Sequence, residues 1–289
     1  MTSAAAPNLD DLRRRIDAID DGLLDLIHQR ATIVGAVAAA KRATGSAGAF
    51  RPGREAQVMR RLAARHHGPF GLATMVRLWR EIMCEFTRLQ GPFAVAVQFA
   101  DGRPGLWDLA RDHFGAETPM TPHGDARAVL AAVDGGSATV GVLPTPAGTA
   151  DGAWWPQLRG AAADRARIIS RLPFASPGSA RGDGLDAVAV ARLPSEPSGD
   201  DRSFLALDLA APLPDAEISR LAAAAGLSIH ALPAVIDAPD GPARLAEIDG
   251  YVGDDDPRLG RLREDAGQRL RGLTVLGAYA IPLSESRAG

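Results

Sequence analysis

The amino-acid sequence predicts a multidomain fold in which an all-α helical domain is followed by an α/β domain and then by an α+β domain. In residues 8–91, apolar side chains recur at three- and four-residue spacings, which is typical of amphipathic helices. In residues 92–208, short β-type runs alternate with helical patterns, which indicates an α/β domain. In residues 209–289, two helical patterns lie among three strand patterns, which favours one sheet covered by helices on one face.

The first predicted helix runs from Leu9 to Arg42. Asn8 can cap its N-terminus, acidic residues in its first turn suit the positive end of the helix dipole, and Gly45 is expected to end it. Its apolar stripe is formed by Leu12, Ile16, Ile19, Leu23, Leu26, Ile27, Ile33, Val34 and Val37. Two shorter helices cannot cover a stripe of this length, so we expect a partner subunit.

Two shorter helices complete the first region. The second begins at Pro52, which suits a first helical turn, and ends before the breaker Gly68-Pro69. The third runs from about Leu72 to Gln90. Its inward face is predicted to consist of Met75, Leu78, Trp79, Ile82, Met83 and Phe86.

The rest of the chain contains seven predicted strands and four predicted helices. The strands are Phe93–Phe99, Thr139–Leu143, Asp186–Ala191, Phe204–Leu209, Leu227–Leu232, Ala243–Gly250 and Leu273–Tyr279. The helices are Leu106–Phe114, Ala126–Val133, Asp215–Ala225 and Arg258–Leu270. Stretches rich in glycine, proline and serine at 144–152, 173–184 and 194–200 are interpreted as loops or linkers.

The composition is that of an ordinary soluble chain. A net charge of −3 gives no sign of a nucleic-acid or membrane partner. The single cysteine, Cys84, excludes a disulfide framework and is interpreted as a small buried apolar residue. Residues Met1–Asp11 lack the charged and apolar parts of a signal peptide, and the apolar run Ala31–Ala40 is about half a membrane span. We therefore expect a cytoplasmic location.

A local concentration of cations stands out against this background. Arg30 and Lys41 lie eleven residues apart, so they share one helix face about 16 Å apart along the axis. The segment Arg51-Pro52-Gly53-Arg54-Glu55 adds further cations and a single carboxylate. Fixed cations without a nearby Ser/His/Asp set or metal-ligand cluster suit a small dianion that is held in shape, with no metal or cofactor.

Along its whole length, the first region resembles the AroQ-type chorismate mutases. The resemblance rests on an ordered set of residues, none of which is specific alone. They are Leu12-Arg13, Asp20 with Leu23-Leu24, Gln29-Arg30, Ala40-Lys41, Arg51-Pro52 with Arg54-Glu55-Ala56, Arg80-Glu81-Ile82-Met83 and Gln90.

The resemblance implies a role for each matched polar residue. Arg13, Arg30 and Lys41 would grip the two carboxylates of chorismate. Lys41 and Gln90 would donate to its ether oxygen, and Glu55 with Arg54 would orient its ring hydroxyl. Because Arg13 lies seventeen residues before Arg30, about 25 Å along a straight helix, it would come from the other subunit of a homodimer with shared active sites.

The reaction implied is the unimolecular rearrangement of chorismate to prephenate, a step of phenylalanine and tyrosine biosynthesis. The enzyme must hold the compact conformer and stabilise charge on the ether oxygen, and no proton need be transferred. His28, His66 and His67 are therefore interpreted as surface or loop residues. The sequence departs from the family at Phe86, where many relatives have a small polar residue, and at Arg51, where some have an acidic one.

The second and third regions are similar to the prephenate dehydratase and ACT domains of bifunctional chorismate mutase/prephenate dehydratase proteins. The similarity is clearest at Leu245–Val252 and Thr274–Tyr279. The dehydratase motifs are replaced by Ala100-Asp101-Gly102, Pro146-Ala147-Gly148 and Arg202-Ser203-Phe204, and the effector motifs by Asp215-Ala216-Glu217 and Ala231-Leu232-Pro233-Ala234. We therefore expect that dehydration has been lost and that phenylalanine does not bind.

Three other functions stay open on the sequence. A bifunctional mutase/dehydratase would need a substitute for the missing catalytic threonine, and Ser203, one place out of register, is the only candidate. An isochorismate pyruvate lyase uses the same three-helix scaffold and similar cations. A non-catalytic regulatory partner would bind another enzyme of the pathway through its C-terminal domains.

Overall fold

The computed structural model describes residues 8–44, 49–99, 104–147, 153–160, 164–175, 185–237 and 241–283. These residues form two compact units. One contains the first helix and residues 86–91. The other contains residues 50–85 together with the chain from residue 92 onward. The packing thus groups most of the second and third helices with the C-terminal region, which differs from the predicted division at residues 91 and 92.

Three helices open the chain, α1 (Leu9–Thr44), α2 (Pro52–Ala63) and α3 (Leu72–Arg88). Asn8 caps α1 as predicted, because its Oδ1 accepts a hydrogen bond from the backbone N–H of Asp10 at 3.1 Å. Pro52 stands at the start of α2, also as predicted. The predicted helix end at Gly45 lies outside the described residues.

The apolar stripe of α1 is exposed to solvent. Of the residues in Leu9–Thr44, all of which are described, Ala38 is the one that is buried. The exposed large apolar side chains are Leu9, Ile16, Ile19, Leu23, Leu24, Leu26, Ile27, Ile33 and Val37. By length and composition alone, α1 is also long and apolar enough to cross a membrane.

The inward face of α3 is rotated from the predicted one. Met75, Met83 and Phe86 are buried as predicted, but Leu78 is 48% exposed. Arg80 is buried instead. The apolar pattern could not reveal this face, because one of its members is a charged residue.

The second unit contains a nine-stranded sheet in the order β2-β1-β3-β5-β4-β9-β6-β8-β7. Its strands are β1 (Val95–Gln98), β2 (Met120–His123), β3 (Val140–Pro144), β4 (Arg167–Leu172), β5 (Ala187–Ala191), β6 (Asp201–Leu209), β7 (Ile229–Ile236), β8 (Ala243–Asp249) and β9 (Leu270–Ala280). Its helices are α4 (Gly105–Phe114), α5 (Ala126–Asp134), α6 (Asp215–Ala224) and α7 (Pro257–Ala266). The predicted order of an all-α part followed by mixed α and β structure is confirmed.

The sheet runs without a break through the two predicted C-terminal regions. Strand β6 pairs with β8 and β9, and β9 meets β4 in parallel through Gly277 and Ile168. Gly277 has φ 132°, and an added Cβ would lie 2.1 Å from the Ile168 carbonyl oxygen, so only glycine fits this junction. Helices α6 and α7 pack on one face of β6, β8 and β9 around Leu205, Leu221 and Leu262.

Helix α2 is fixed to the C-terminal region by charged side chains. The Arg60 guanidinium donates to Ser198 Oγ at 2.8 Å and to the Ile281 carbonyl at 3.1 Å. Arg51 donates to both carboxylate oxygens of Glu196 at 3.1–3.2 Å. A hydrophobic cluster adds apolar contact, because Phe174 packs with residues of α2 and α3 that include Met59. The helix that carries Glu55 therefore rests on residues far away in sequence.

Candidate functional site

Three residues of the predicted site, Arg30, Lys41 and Gln90, lie in the first unit, and each contacts Phe86 or Gln90. Lys41 Nζ donates to Gln90 Oε1 at 3.4 Å, and Gln90 Nε2 donates to the carbonyl oxygen of Phe86 at 2.9 Å. The guanidinium carbon of Arg30 lies 4.6 Å from the centroid of the Phe86 ring. Arg30 and Lys41 are both half-buried, so their charges act where solvent screens them less than at an exposed site. The structure thus joins the end of α1 to the chain after α3.

Phe86 takes a specific part in this arrangement. It is buried, and its ring face lies against the Arg30 guanidinium in cation–π geometry. Its carbonyl oxygen orients the Gln90 amide one helical turn later. Phe86 therefore places an aromatic ring against Arg30.

Arg13 lies apart from these residues within the chain. Its Nη1 pairs with Asp10 at 3.2 Å in the first turns of α1, and its side chain is 66% exposed. Arg13 and Arg30 belong to one continuous helix and are separated by about 25 Å of rise, so the single chain does not bring them together.

The predicted residues of α2 have partners in the second unit. Glu55 Oε2 accepts a hydrogen bond from Arg80 Nη1 at 2.7 Å, and the side chains are only 12% and 5% exposed. Arg54, by contrast, is an exposed residue that donates to Gln57 Oε1 at 3.3 Å. Arg51, the second departure from the family, bonds to Glu196 in the C-terminal region. Glu55 is therefore the most tightly held of the three.

Arg80 interacts electrostatically with a buried histidine, His113. His113 on α4 is 4% exposed, and its Nε2 has no hydrogen-bond partner among the described residues. Burial first, and the nearby Arg80 charge second, hold the pKa of His113 well below its usual range. Both effects favour the neutral form of His113. As predicted, Cys84 is buried, and His28 and His67 are exposed.

The candidate substitute for the dehydratase threonine has a structural task. Ser203 is fully buried, its hydroxyl donates to the Gly250 carbonyl oxygen at 2.9 Å, and its oxygen accepts from the Val252 N–H at 2.8 Å. These bonds tie β6 to the chain that follows β8. The predicted replacement loop at Ala100-Asp101-Gly102 lies outside the described residues, as does Gly148.

Arg80 is the polar residue that sequence reasoning did not assign. It belongs to the set of residues that resembles the chorismate mutases, but the resemblance implies no role for it. One signal could have drawn attention to it, because it lies four residues after Val76 and three before Met83, both of which are buried. A charged residue on the buried face of a helix needs a partner inside the protein.

Residues 12–91 match the family described as Chorismate mutase type II. The bifunctional chorismate mutase/prephenate dehydratase of Stutzerimonas stutzeri is 35% identical over 143 residues, which cover 48% of this chain and 39% of that protein. The protein of the same name from Pseudomonas aeruginosa is 36% identical over 137 residues, 46% of this chain and 37% of that one. The chain spans about two fifths of the length of these relatives.

Among solved structures, a prephenate dehydratase from Arthrobacter aurescens in complex with L-Phe is 14% identical, with a TM-score of 0.47. That match covers 65% of this chain and 90% of that one. The sequence comparisons confirm the resemblance of the N-terminal part, because residues 12–91 match the chorismate mutase type II family.

Proposed function

We propose that this chain is a chorismate mutase, which converts chorismate to prephenate in the biosynthesis of phenylalanine and tyrosine. The observations that carry the proposal are the contact of Lys41 with Gln90 and that of Arg30 with Phe86, within a segment that matches the mutase family. Two cations and an amide suit a dianion whose ether oxygen gains negative charge in the transition state. The reaction needs no nucleophile, so catalysis rests on conformational restraint and preorganised charge.

Each residue has a defined part in this proposal. Arg30 and Lys41 bind the carboxylates, and Lys41 also donates to the ether oxygen. One hydrogen of the Gln90 amide nitrogen is used by the Phe86 carbonyl, which leaves the second hydrogen for the ether oxygen. Glu55 and Arg54 of α2 orient the ring hydroxyl, a role that rests on the resemblance. The substrate is then held in its compact conformer while the rearrangement takes place.

We also propose that the active protein is a cytoplasmic homodimer with two shared sites. The exposed stripe of α1 supports this, because a partner's α1 would bury these apolar side chains. Arg13 supports it as well, since it lies about 25 Å from Arg30 along one helix and reaches a site only from another chain. A second copy of α1 would bury the same stripe. The match of residues 12–91 to a mutase family favours this copy over a membrane.

The C-terminal region is proposed to have no dehydratase activity and no response to phenylalanine. Dehydration of prephenate requires a positioned donor at the departing hydroxyl, and Ser203 is already used in two structural hydrogen bonds. The bifunctional alternative therefore lacks its only candidate residue.

The test is to incubate the purified protein with chorismate, isochorismate and prephenate in separate assays. We expect prephenate from chorismate, and neither salicylate from isochorismate nor phenylpyruvate from prephenate. Salicylate alone would identify a pyruvate lyase, and phenylpyruvate would restore the bifunctional alternative. No product from any of the three would favour a non-catalytic regulatory role and overturn the proposal.

A further inference from the structure

Arg80 holds the Glu55 carboxylate in a nearly dry environment. The distance from Nη1 to Oε2 is 2.7 Å, and the side chains are 5% and 12% exposed. Water competes poorly with such an ion pair, so the carboxylate keeps one orientation. The pair also crosses between helices, because Glu55 lies in the first turn of α2 and Arg80 lies in α3.

The other side of Arg80 is supported by the C-terminal region. The guanidinium carbon lies 5.2 Å from the centroid of the Phe174 ring, and Phe174 is 5% exposed. Phe174 follows β4, well outside the matched segment 12–91. An aromatic face below a planar guanidinium limits its tilt, and the Glu55 carboxylate limits its direction.

The backbone of α2 is fixed by the same region. Arg60 bonds to Ser198 and Ile281, and Arg51 bonds to Glu196. Gly53, two residues before Glu55, packs so closely on Glu196 that an added Cβ would lie 2.9 Å from its carbonyl oxygen. Both the main chain and the side chain of Glu55 thus depend on residues outside the mutase domain.

We propose that Arg80 is a positioning residue for Glu55, and that Phe174 holds Arg80 in place, so that the C-terminal region serves the mutase site as a structural support. This inference rests on the proposed function, because the role of Glu55 comes from it. It gives the C-terminal region a task that needs neither dehydratase chemistry nor an effector. Arg80 itself does not touch the substrate.

The chain offers a matched control on the same helix. Arg77 lies three residues before Arg80, is half exposed, and pairs with Asp112 of α4 at 2.6 Å. Replacing Arg77 with methionine removes the same kind of side chain from α3 without disturbing the pair with Glu55.

The experiment is a double-mutant cycle on full-length protein, with kcat and KM for chorismate measured for Arg80→Met, Glu55→Gln and the double variant. We expect Arg80→Met to lower kcat/KM by about ten- to a hundredfold, since a displacement near 1 Å in a site has effects of this size. In the Glu55→Gln background, Arg80→Met should lower kcat/KM by less than about threefold, because the carboxylate that Arg80 positions is already absent. Phe174→Leu should give a smaller loss, and Arg77→Met none.

A purely structural role would behave differently. If Arg80 only stabilised the fold, Arg80→Met would lower the active fraction and hence kcat, and it would leave KM unchanged. The loss in kcat/KM would then be the same with or without Glu55. We instead expect Arg80→Met to divide its effect between kcat and KM in the same way as Glu55→Gln.

Independent, multiplicative losses in the cycle would overturn the inference while leaving the mutase assignment intact. A wild-type protein that does not convert chorismate would overturn the proposed function, and this inference with it. If Arg80→Met does not fold, Arg80→Lys and Phe174→Leu complete the same cycle with Glu55→Gln under the same criterion.

Discussion

The ammonium nitrogen of Lys41 lies 3.4 Å from Oε1 of Gln90, although 49 residues separate the two in the chain. The contact joins the C-terminal end of α1 to the residues after α3. It also fixes the Gln90 amide, because an oxygen that accepts from Lys41 leaves the amide nitrogen as the donor. Phe86 uses one hydrogen of this amide nitrogen, and our proposal assigns the other hydrogen to the ether oxygen of chorismate.

This relationship predicts an acid-dependent variant. In Gln90→Glu the new carboxylate would pair with Lys41 and could not donate to the ether oxygen unless it were protonated, and a free glutamate has a pKa of about 4.3. We expect kcat/KM of Gln90→Glu to rise steeply as pH falls from about 7 to about 4.5, while the parent changes little. Gln90→Leu serves as the control, since it should be weak at every pH. A parent-like profile in Gln90→Glu would remove Gln90 from the site.

The ring of Phe86 should contribute to catalysis through Arg30. Phe86→Leu keeps an apolar side chain but removes the ring face that lies 4.6 Å from the guanidinium carbon. A cation–π contact of about 1 kcal/mol corresponds to a loss of about fivefold in kcat/KM. The matched control is Phe70→Leu, at a phenylalanine that is 50% exposed. Equal kinetics in the two variants would show that Arg30 needs no aromatic support.

Shared sites predict complementation between inactive chains. Arg13→Ala and Arg30→Ala should each be nearly inactive alone, because each removes one of the two halves of every site. After subunit exchange at equal concentrations, we expect about a quarter of the parent activity, since about half the dimers are mixed and each has one intact site of two. Mixed dimers that form, as native mass spectrometry can establish, but stay inactive would contradict the shared site.

We expect the buried Tyr279 to lose its proton only at high pH. The stability of the fold should fall over the same pH range. The Tyr279 hydroxyl donates to Glu247 and lies 3.0 Å from Arg171 Nη1. Burial first, then the bond to Glu247, raise the pKa of Tyr279 to about 12. The neutral phenol is thus favoured in the folded state, so its stabilisation is complete below pH 10 and is lost as pH rises towards 12. The loss amounts to about 2–3 kcal/mol.

The sequence has two tyrosines, so Tyr251→Phe leaves Tyr279 as the sole phenol. Its tyrosinate absorbance in this variant should rise with a midpoint near pH 12 while the fold is intact. A midpoint near pH 10 in folded protein would show that Tyr279 is not buried against Glu247.

Much of the fold follows from local sequence patterns. The long α1, its cap at Asn8 and most strands of the sheet were predicted because periodicity and capping are local signals. Strand β2 was missed, since Met120–His123 is short, polar and contains a proline. Strand β4 was missed because Arg167 and Arg171 interrupt its apolar pattern.

Long-range features of the site could not be predicted from the sequence. No local sequence pattern predicts that β9 pairs with β4. This pairing joins the two predicted C-terminal regions into one sheet. The pair of Glu55 and Arg80 depends on how α2 and α3 pack, and Arg80 looks like a surface cation until its burial is known. The predicted cations Arg30 and Lys41 were identifiable because they interrupt an apolar run at helical spacing.

The proposed mutase site is tested most directly by the rate at which Arg30→Ala and Lys41→Ala convert chorismate, compared with Arg42→Ala. Arg42 is an exposed cation beside Lys41 in the last turn of α1 and serves as the control. Loss of a preorganised charge contact costs about 3–5 kcal/mol, so kcat/KM should fall by about two to four powers of ten at Arg30 and Lys41. Arg42→Ala should retain parent activity. Full activity in both Arg30→Ala and Lys41→Ala would overturn the proposed mutase site.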